Sequence, residues 1–394
     1  MPATIHWTLK TFGMLERRAL FVSPLIATVF GMMTIALISI QTIAQEKAPA
    51  RWIPRQSITG ETFVGDRACA QCHKKHFASY SQSAMEMAME PVGSSRVLSA
   101  NTALTFRNGP YSYSIKRQGK QSLYTVTNGK ESVTATVLYA FGQGKAGQTY
   151  VFRYQGELYQ SLVSFYQEVN GLDFTVGASS EAPASLKEAL GRPMSENETK
   201  DCFGCHGTGA IVNGKVDFEK NVPGVHCEAC HGPGKAHTEA IQSGEPGANL
   251  IFNPKRLSGD ELAQEFCAAC HRAIPDFEKL RSLKVNNVRF QPYRIFYSKC
   301  YSDDRRISCT ACHNPHGPVK QESAYYDAKC LACHNTAKGD DKLSSTEQKS
   351  ALTCKVGTKD CVTCHMQKVA PPQAHFKFTD HYIRVIKPGA PYPD

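Results

Sequence analysis

The chain alternates β-branched or aromatic residues with polar ones between residues 103 and 178, in runs such as YSYSI, SVTATVLYAF and LYQSLVSFY. Alternation with a period of two is typical of strands that bury one face, so we predict an antiparallel sheet of about four to six strands. Asn128-Gly129 and Gln155-Gly156 separate such runs and favour tight hairpin turns. The pattern therefore predicts a β-rich segment over residues 101–180.

One glycine-rich stretch in this segment imitates a nucleotide-binding motif. Gly142, Gly144 and Gly147 match G-x-G-x-x-G directly after a predicted strand. A dinucleotide site needs a helix next, whose N-terminus faces the pyrophosphate, but GQTYVFRYQGELY has the pattern of another strand. We interpret the stretch as a turn between strands and expect no nucleotide partner.

Helical patterns are short and lie outside the β-rich segment. HKKHFASYSQSAMEMAME, residues 73–90, predicts a helix, and GDELAQEFCAACH predicts a second one further along the chain. Gly- and Pro-containing stretches such as CHGPGKAH and CHNPHGP separate such elements and predict turns. We therefore expect short helices and loops rather than long regular elements.

An apolar run at residues 19–40 follows the basic residues Arg17 and Arg18. It is long enough to span a bilayer, which takes roughly 20 residues, and residues 42–44 resemble a signal-peptide cleavage site. A cleaved signal peptide and a retained membrane anchor both remain open. Either one places the rest of the chain outside the cytoplasm, in the periplasm or another extracytoplasmic compartment.

Cysteine and histidine are unusually frequent, with 16 and 14 copies in 394 residues. Seven copies of C-x-x-C-H contain the cysteine pairs Cys69/Cys72, Cys202/Cys205, Cys227/Cys230, Cys267/Cys270, Cys309/Cys312, Cys330/Cys333 and Cys361/Cys364. The histidines of these motifs, in the same order, are His73, His206, His231, His271, His313, His334 and His365. Thiols one helical turn apart can bind the two vinyl groups of one porphyrin, and the histidine that follows ligates its iron. Neither zinc ribbons nor disulfide frameworks require that histidine, so we predict seven covalently attached haem c groups.

The formal net charge of +10 would by itself be typical of a protein that binds nucleic acid or an anionic membrane. Each haem carries two propionates, however, and these need counter-charges within the protein. We interpret much of the basic excess in this way and expect no nucleic-acid partner.

Distal iron ligands must come from residues outside the motifs. His6 precedes the apolar run, which leaves as candidate distal ligands His76, His226, His237, His316, His375 and His381. Six histidines are one fewer than the seven irons, so a fully bis-histidine scheme fails for at least one haem. Met85 is the candidate that would complete the set, and a five-coordinate haem is the alternative.

These stretches resemble the multihaem cytochromes c of the cytochrome c-552/554 type. The similar segments are FVGDRACAQCHKKHFASYSQSAM, DCFGCHGTG, GVHCEACHGPGKAH, FQPYRIFYSKCYSDDRRISCTACHNPHGP, YDAKCLACH, and DCVTCHMQKV with HFKFTDHYIR. The resemblance implies distal roles for His237 and His316, and it favours a disulfide between Cys300 and Cys354 over two free thiols. Met85 stands where the family usually has a histidine, a departure that bears on the first haem.

The resemblance and the motifs together predict an α+β fold with little regular structure. It would be a haem stack of short helices and loops with an inserted antiparallel β segment. The predicted segments are a signal peptide or anchor (1–44), a linker (45–60), a first haem segment (61–100), the β-rich segment (101–180) and a six-haem cytochrome domain (195–390).

The leading functional prediction is electron transfer by hopping along the haems. The expected partners are redox proteins, such as a membrane quinol-oxidising complex or a terminal reductase. One alternative is a reductase or oxidase of a small nitrogen or sulfur compound, which would act at a haem without a distal ligand, with Arg305 or Arg306 to hold an anion. A subunit of an extracellular cytochrome filament is the second alternative. Catalytic relatives carry hallmarks such as C-x-x-C-K, which this chain lacks, so we favour a protein that is not an enzyme.

Overall fold

A computed structural model describes residues 51–58, 63–179, 181–302, 307–334, 354, 357–387 and 389–393. The predicted signal peptide or anchor lies outside these residues, as do Arg305 and Arg306. Among the described residues, no helix combines the length and apolar character needed to cross a membrane.

The β-rich segment forms an antiparallel sheet that, in the described part of the chain, has nine strands. Strands β2 to β8 follow one another as a meander, while β1 pairs with β5 and β9 pairs with β7. The strands are β1 Met89–Pro91, β2 Ala103–Asn108, β3 Tyr111–Gln118, β4 Gln121–Thr127, β5 Ser132–Phe141, β6 Gln148–Tyr154, β7 Glu157–Tyr166, β8 Gly171–Phe174 and β9 Gly191–Pro193. The meander has one strand more than the upper limit of the prediction, because GLDF in β8 is too short to show clear alternation.

The sheet curls until its first and last meander strands meet. Phe106 of β2 packs edge-on against Phe174 of β8, with ring centres 5.4 Å apart. Irregularities in register lie between β5 and β6 and between β6 and β7, and such bulges increase local twist. Alternate residues such as Tyr113, Ile115 and Tyr124 are buried, so the period-two pattern corresponds to an apolar interior. The sheet is therefore nearly closed.

Both predicted hairpin turns are present. Gln155 and Gly156 have φ values of 51° and 88°, the left-handed backbone that a two-residue turn between β6 and β7 requires. Asn128 Oδ1 accepts hydrogen bonds from the backbone of Lys130 at 2.9 Å and of Glu131 at 2.8 Å, and so organises the turn before β5. The G-x-G-x-x-G stretch is a turn between β5 and β6, as its flanking patterns predict.

Helices in the rest of the described chain are short, the longest having 12 residues. Their bounds are Asp66–Cys72, Lys74–Tyr80, Arg96–Ala100, Leu186–Leu190, Glu196–His206, Cys227–His231, Lys235–Gln242, Ala268–His271, Phe277–Ser282, Gln291–Ile295, Lys299–Ser302, Cys309–Cys312, Ser323–His334 and Cys361–His365. A π-helix spans Glu261–Cys267, and short 3-10 turns span Val92–Ser94, Pro254–Arg256, Ile274–Asp276 and Lys284–Arg289. Small hairpins pair Gly207–Thr208 with Val222–Pro223, Ile211–Val212 with Lys215–Val216, and Lys368–Val369 with Phe378–Thr379.

The helix predicted over residues 73–90 is too long. It ends at Tyr80, and turns follow it as far as β1. Serine side chains compete with the helical backbone there: the Ser81 hydroxyl donates to Ala78 O at 3.2 Å, and Ser83 Oγ accepts from the Glu86 amide at 3.1 Å. The mixture of short helices and antiparallel strands agrees with the predicted α+β class.

Candidate haem sites

Each of the seven motifs begins on a helical turn, which places its two cysteines one turn apart on the same side. The second motif closes the helix Glu196–His206, and the sixth closes Ser323–His334. The fourth motif begins at the end of the π-helix and continues into Ala268–His271. This is the arrangement that double thioether attachment to one porphyrin needs.

Three motif histidines use Nδ1 to bind the backbone. Nδ1 of His206, His231 and His365 lies 2.9, 2.9 and 3.1 Å from the carbonyl oxygens of Ala88, Phe252 and Arg384, respectively. A carbonyl can only accept a hydrogen bond, so Nδ1 carries the proton in each ring and Nε2 keeps its lone pair. Histidines that ligate metals characteristically donate their other ring N–H in this way.

Two histidines outside the motifs show the same signature. His237 Nδ1 lies 2.8 Å from Gly247 O, and His381 Nδ1 lies 3.0 Å from Thr379 O. Each ring is thereby oriented, and its Nε2 is left for a metal. Both residues are among the distal candidates predicted from the sequence.

Three motif histidines each lie about 6 Å, measured between ring centres, from a histidine outside the motifs. The ring centres of His73 and His237 are 6.3 Å apart, those of His231 and His316 are 6.0 Å apart, and those of His313 and His381 are 6.1 Å apart. An iron bound by two imidazoles, with metal–nitrogen bonds of about 2 Å, holds the ring centres about 6 Å apart. The separations therefore fit one iron between the rings of each pair.

Burial keeps most of these imidazoles neutral, as iron ligation requires. It lowers the pKa of His206, His231, His271, His313 and His316. The effect is largest for His381, where burial lowers the pKa to about 4. A neutral ring offers a lone pair without first having to lose a proton.

His226 is not placed as an iron ligand, contrary to the prediction. Its Nδ1 lies 2.6 Å from Asp66 Oδ2, and its Nε2 lies 2.8 Å from Pro223 O, so both nitrogens meet acceptors. Burial alone would lower the pKa of His226, but the hydrogen bond and charge of Asp66 outweigh it and raise the pKa. A ring that donates from both nitrogens has no lone pair for iron.

His375 was also predicted as a distal ligand, and that role stays a prediction, because the hydrogen bond of its ring engages Nε2 and leaves Nδ1. Its Nε2 lies 2.8 Å from Asp173 Oδ2, and its ring packs against Tyr166 with centres 4.7 Å apart. Both partners belong to the sheet, on β8 and β7. The residue thus ties the C-terminal segment to the sheet.

The contacts of the remaining distal candidates, His76 and Met85, do not assign either residue to a particular iron. His76 is exposed, with its ring centre 4.6 Å from that of His316. Met85 is half-buried, and its carbonyl accepts from the amide of Val225 at 3.0 Å. The ring centres of His76 and His237 lie 6.5 and 6.3 Å from that of His73. The roles of His76 and Met85 stay predictions.

Cys300 and Cys354 occupy different environments. Cys300 is half-buried on the helix Lys299–Ser302, where burial raises its thiol pKa and the thiols of Cys312 and Cys330 add to the effect. Cys354 is exposed. The disulfide between Cys300 and Cys354 stays a prediction.

Thiols of different motifs meet in pairs. Cys69 and Cys227 interact directly, joining the first motif to the third. The same kind of contact joins Cys205 to Cys270, Cys267 to Cys309, and Cys330 to Cys361. The attachment points are therefore neighbours in space although they are far apart in sequence.

The motif cysteines differ in exposure, although the sequence predicts the same attachment role for all of them. Cys72, Cys333 and Cys364, the second cysteines of the first, sixth and seventh motifs, are exposed, whereas the other motif cysteines are half-buried. The thioether role of all fourteen motif cysteines stays a prediction.

A buried ion network, which the sequence did not reveal, supports two of the histidines. Arg294 is 1% exposed and binds Asp380 through two hydrogen bonds of 2.9 and 3.1 Å. Arg384 donates to the same carboxylate at 2.8 Å. Asp380 directly precedes His381, and the carbonyl of Arg384 accepts from His365, so the network fixes the backbone beside both histidines.

A second network lies between the second and fourth motifs. Asp201, directly before Cys202, accepts from Arg55 at 2.6 Å and from Arg272 at 2.9 Å. Arg55 also donates to Ala269 O, inside the fourth motif, at 2.9 Å. The only sign of this network in the sequence was a charged residue directly beside each of the two motifs, Asp201 before the second and Arg272 after the fourth.

Comparisons with known proteins bear on the class of this protein. The model of the family "Cytochrome c554 and c-prime" matches residues 173–232, which contain the second and third motifs. These findings support a c-type cytochrome with several covalently bound haems as the class of this protein.

Among curated proteins, the multiheme cytochrome MtrA of Shewanella baltica is 27% identical over 160 residues, 39% of this chain and 40% of that protein. Cytochrome c-554 of Nitrosomonas europaea is 33% identical over 97 residues, 22% of this chain and 41% of that protein. The chain thus spans about two fifths of the length of these relatives. No solved structure matches it.

Proposed function

We propose that the chain is an exported heptahaem c-type cytochrome that carries electrons between redox proteins. The observation that carries the proposal is the set of three facing imidazole pairs at 6.0–6.3 Å. An iron with histidine on both sides has no open position for a substrate, and it suits electron transfer. We assign a haem stack to the helical segments on this basis.

The cysteines of each motif would hold one haem through thioether bonds, and the motif histidine would be its proximal ligand. His237, His316 and His381 would be the distal ligands of the first, third and fifth haems. Bound haem supplies one-electron redox chemistry. The protein orients the rings of His206, His231, His237, His365 and His381 through Nδ1 hydrogen bonds to backbone carbonyls, and such bonds tune the reduction potential of the haem that a ring would ligate.

The meeting thiols support electron hopping within three groups of haems. Direct contacts between thiols join the first motif to the third, the second to the fourth, the fourth to the fifth, and the sixth to the seventh. Haems attached at neighbouring thiols lie close enough for hopping within each pair. Redox partners would exchange electrons at haems near the surface, outside the cytoplasm. The similarity to a multiheme cytochrome and the apolar run at 19–40 support these assignments.

One observation favours the alternative of a reductase or oxidase acting on a small nitrogen or sulfur compound. With both nitrogens of His226 engaged elsewhere, five described histidines outside the motifs remain for seven irons: His76, His237, His316, His375 and His381. At least two haems then take a ligand other than histidine or keep an open position. An open position is what substrate reduction requires.

Mass spectrometry and ligand binding test both functions on the purified full chain. We expect a mass that corresponds to seven haems, and a reduced form whose visible spectrum does not change with CO. A mass with fewer haems would contradict the haem count. CO binding to a high-spin haem would overturn the electron-transfer assignment and establish the alternative.

A further inference from the structure

Two motifs carry an aspartate at the same upstream position. Asp66 lies three residues before Cys69, and Asp327 lies three residues before Cys330, so both stretches read D-x-x-C-x-x-C-H. Each aspartate is on the same helix as the first cysteine of its motif. Residues three apart share a helix face, so each carboxylate lies on the side of the first thiol.

Asp66 binds the third motif. Its Oδ1 accepts from the backbone amide of Cys227 at 3.0 Å, and the Cys227 thiol lies within hydrogen-bonding reach of the same carboxylate. The helix Cys227–His231 receives no cap from its own N-cap side chain, and one turn of helix leaves its first amides unpaired. Asp66 therefore supplies, from another segment, the cap that this helix lacks.

Asp327 makes the same contacts with the seventh motif. Its Oδ1 accepts from the amide of Cys361 at 2.8 Å, and its Oδ2 accepts from that of Asp360 at 2.8 Å. The Cys361 thiol also lies against this carboxylate. The helix Cys361–His365 again has no cap from its own N-cap side chain. The same device thus occurs twice, each time on the first cysteine of the partner motif.

A buried glutamate reinforces the first of these contacts from the opposite side. Glu228, inside the third motif and 2% exposed, accepts from the amides of Val64 at 2.9 Å and Gly65 at 2.8 Å. Its Oε1 also accepts from the amide of Gly234 at 2.7 Å. The approach to the first motif is thereby bound to the third motif, just as Asp66 binds the third motif to the first.

We propose that Asp66 and Asp327 are positioning residues that fix the separation within two haem pairs, first with third and sixth with seventh. The inference rests on the proposed function, because it needs haems at these motifs. Each porphyrin is bonded to its cysteines, so the distance between two first cysteines sets the distance between the attached edges of two haems. Each aspartate holds the partner's first cysteine while its own helix holds the other.

The pair formed by the second and fourth motifs is built differently and provides a contrast. Its thiols, Cys205 and Cys270, also meet, but Asp201 joins the segments by binding the side chains of Arg55 and Arg272. No aspartate stands three residues before Cys202 or Cys267. Removal of Asp66 or Asp327 should therefore leave this pair unchanged.

The test uses the full holoprotein and electron paramagnetic resonance of its ferric haems, together with a redox titration. Magnetic interaction between adjacent haems shapes their lines, so D66A should change the lines and midpoint potentials of two of the seven haems. D327A should change those of two others, and the double variant should change four. D66N and D327N keep one acceptor oxygen and should restore much of the wild-type spectrum. Glu196, exposed on the helix of the second motif, provides the control E196A.

Haem content by mass separates the outcomes. A wild-type protein with fewer than seven haems contradicts the proposed function. A wild-type protein with seven haems whose D66A and D327A variants keep wild-type lines and potentials overturns the positioning role. If an alanine variant loses haem, the asparagine variant decides: changes at the two haems of the pair alone support the inference, whereas equal changes at all seven haems, or no change at any haem, contradict it.

Discussion

Removal of the Asp380 carboxylate is expected to cost the protein a large part of its stability. Asp380 is fully buried and accepts from Arg294 at 2.9 and 3.1 Å, from Arg384 at 2.8 Å and from the Tyr382 amide at 3.0 Å. In D380A, two guanidinium groups would lose their shared carboxylate, and one of them has almost no access to water. Breaking a buried ion pair by removing one partner costs about 3–5 kcal/mol, so we expect a loss of about 4 kcal/mol in the free energy of unfolding.

The same contacts determine how this stabilisation depends on pH. Burial alone would raise the pKa of Asp380, but the hydrogen bonds and charge of Arg294 outweigh it and lower the pKa. A carboxylate whose pKa is lower in the folded state stabilises the fold above its unfolded pKa of about 3.9. The stabilisation is lost as pH falls through the folded value. The difference between wild type and D380A should therefore shrink below pH of about 4.

Equilibrium guanidinium denaturation of the holoprotein, followed by far-ultraviolet circular dichroism, measures this loss. E239A is a matched control, since Glu239 forms an exposed pair with Lys235 at 3.8 Å and should change stability by about 0.5 kcal/mol or less. Visible spectra should also change in D380A, because Asp380 adjoins His381. A loss below about 1 kcal/mol in D380A would refute the argument from burial.

Three further predictions concern the histidines and one glycine. H237A, H316A and H381A should each convert one low-spin haem to high spin in electron paramagnetic resonance, whereas H226A should not; a spin change in H226A would contradict its assignment. Burial alone would lower the pKa of His226, but Asp66 raises it. Its stabilisation is therefore complete below pH of about 6.5 and is lost as pH rises through the folded value, so wild type should lose more stability than H226Q above that pH in denaturation curves. G191A should lower the free energy of unfolding by about 3 kcal/mol or more, because φ at Gly191 is 144° and an added Cβ would overlap Gln160 O. G109A, at a position with φ of 57° and open space around it, should lower the free energy of unfolding by about 1 kcal/mol in the same assay.

Local patterns in the sequence predicted the elements that local interactions determine. The alternation of apolar and polar residues predicted the strands. Asn128-Gly129 and Gln155-Gly156 predicted the turns between strands, because the backbone preference of a turn residue is a property of that residue itself. The exception was the helix over 73–90, where serine hydroxyls replace helical hydrogen bonds at its C-terminal half.

The sequence narrowed the set of candidate distal histidines, but it did not identify which of them bind iron. His226 lies directly before a motif and His375 lies near the last one, yet ligation depends on which ring nitrogen meets an acceptor. That choice is made by Asp66 and Asp173, each more than 150 residues away along the chain. The pair Arg294–Asp380 is likewise separated by 86 residues, with no periodic signal to connect them. The D-x-x-C-x-x-C-H repeat was the one readable sign of the contacts between motifs.

Five of the candidate ligand rings donate a hydrogen bond from Nδ1 to a peptide carbonyl. They are the rings of His206, His231, His237, His365 and His381. A substitution replaces a side chain and leaves the peptide group in place. In the proposed cytochrome, the electron-donating strength of these imidazoles would be insulated from most point mutations, and with it the driving force for electron transfer between haems. Drift in the surrounding sequence would then alter redox behaviour chiefly where it bends the main chain, as insertions and deletions do.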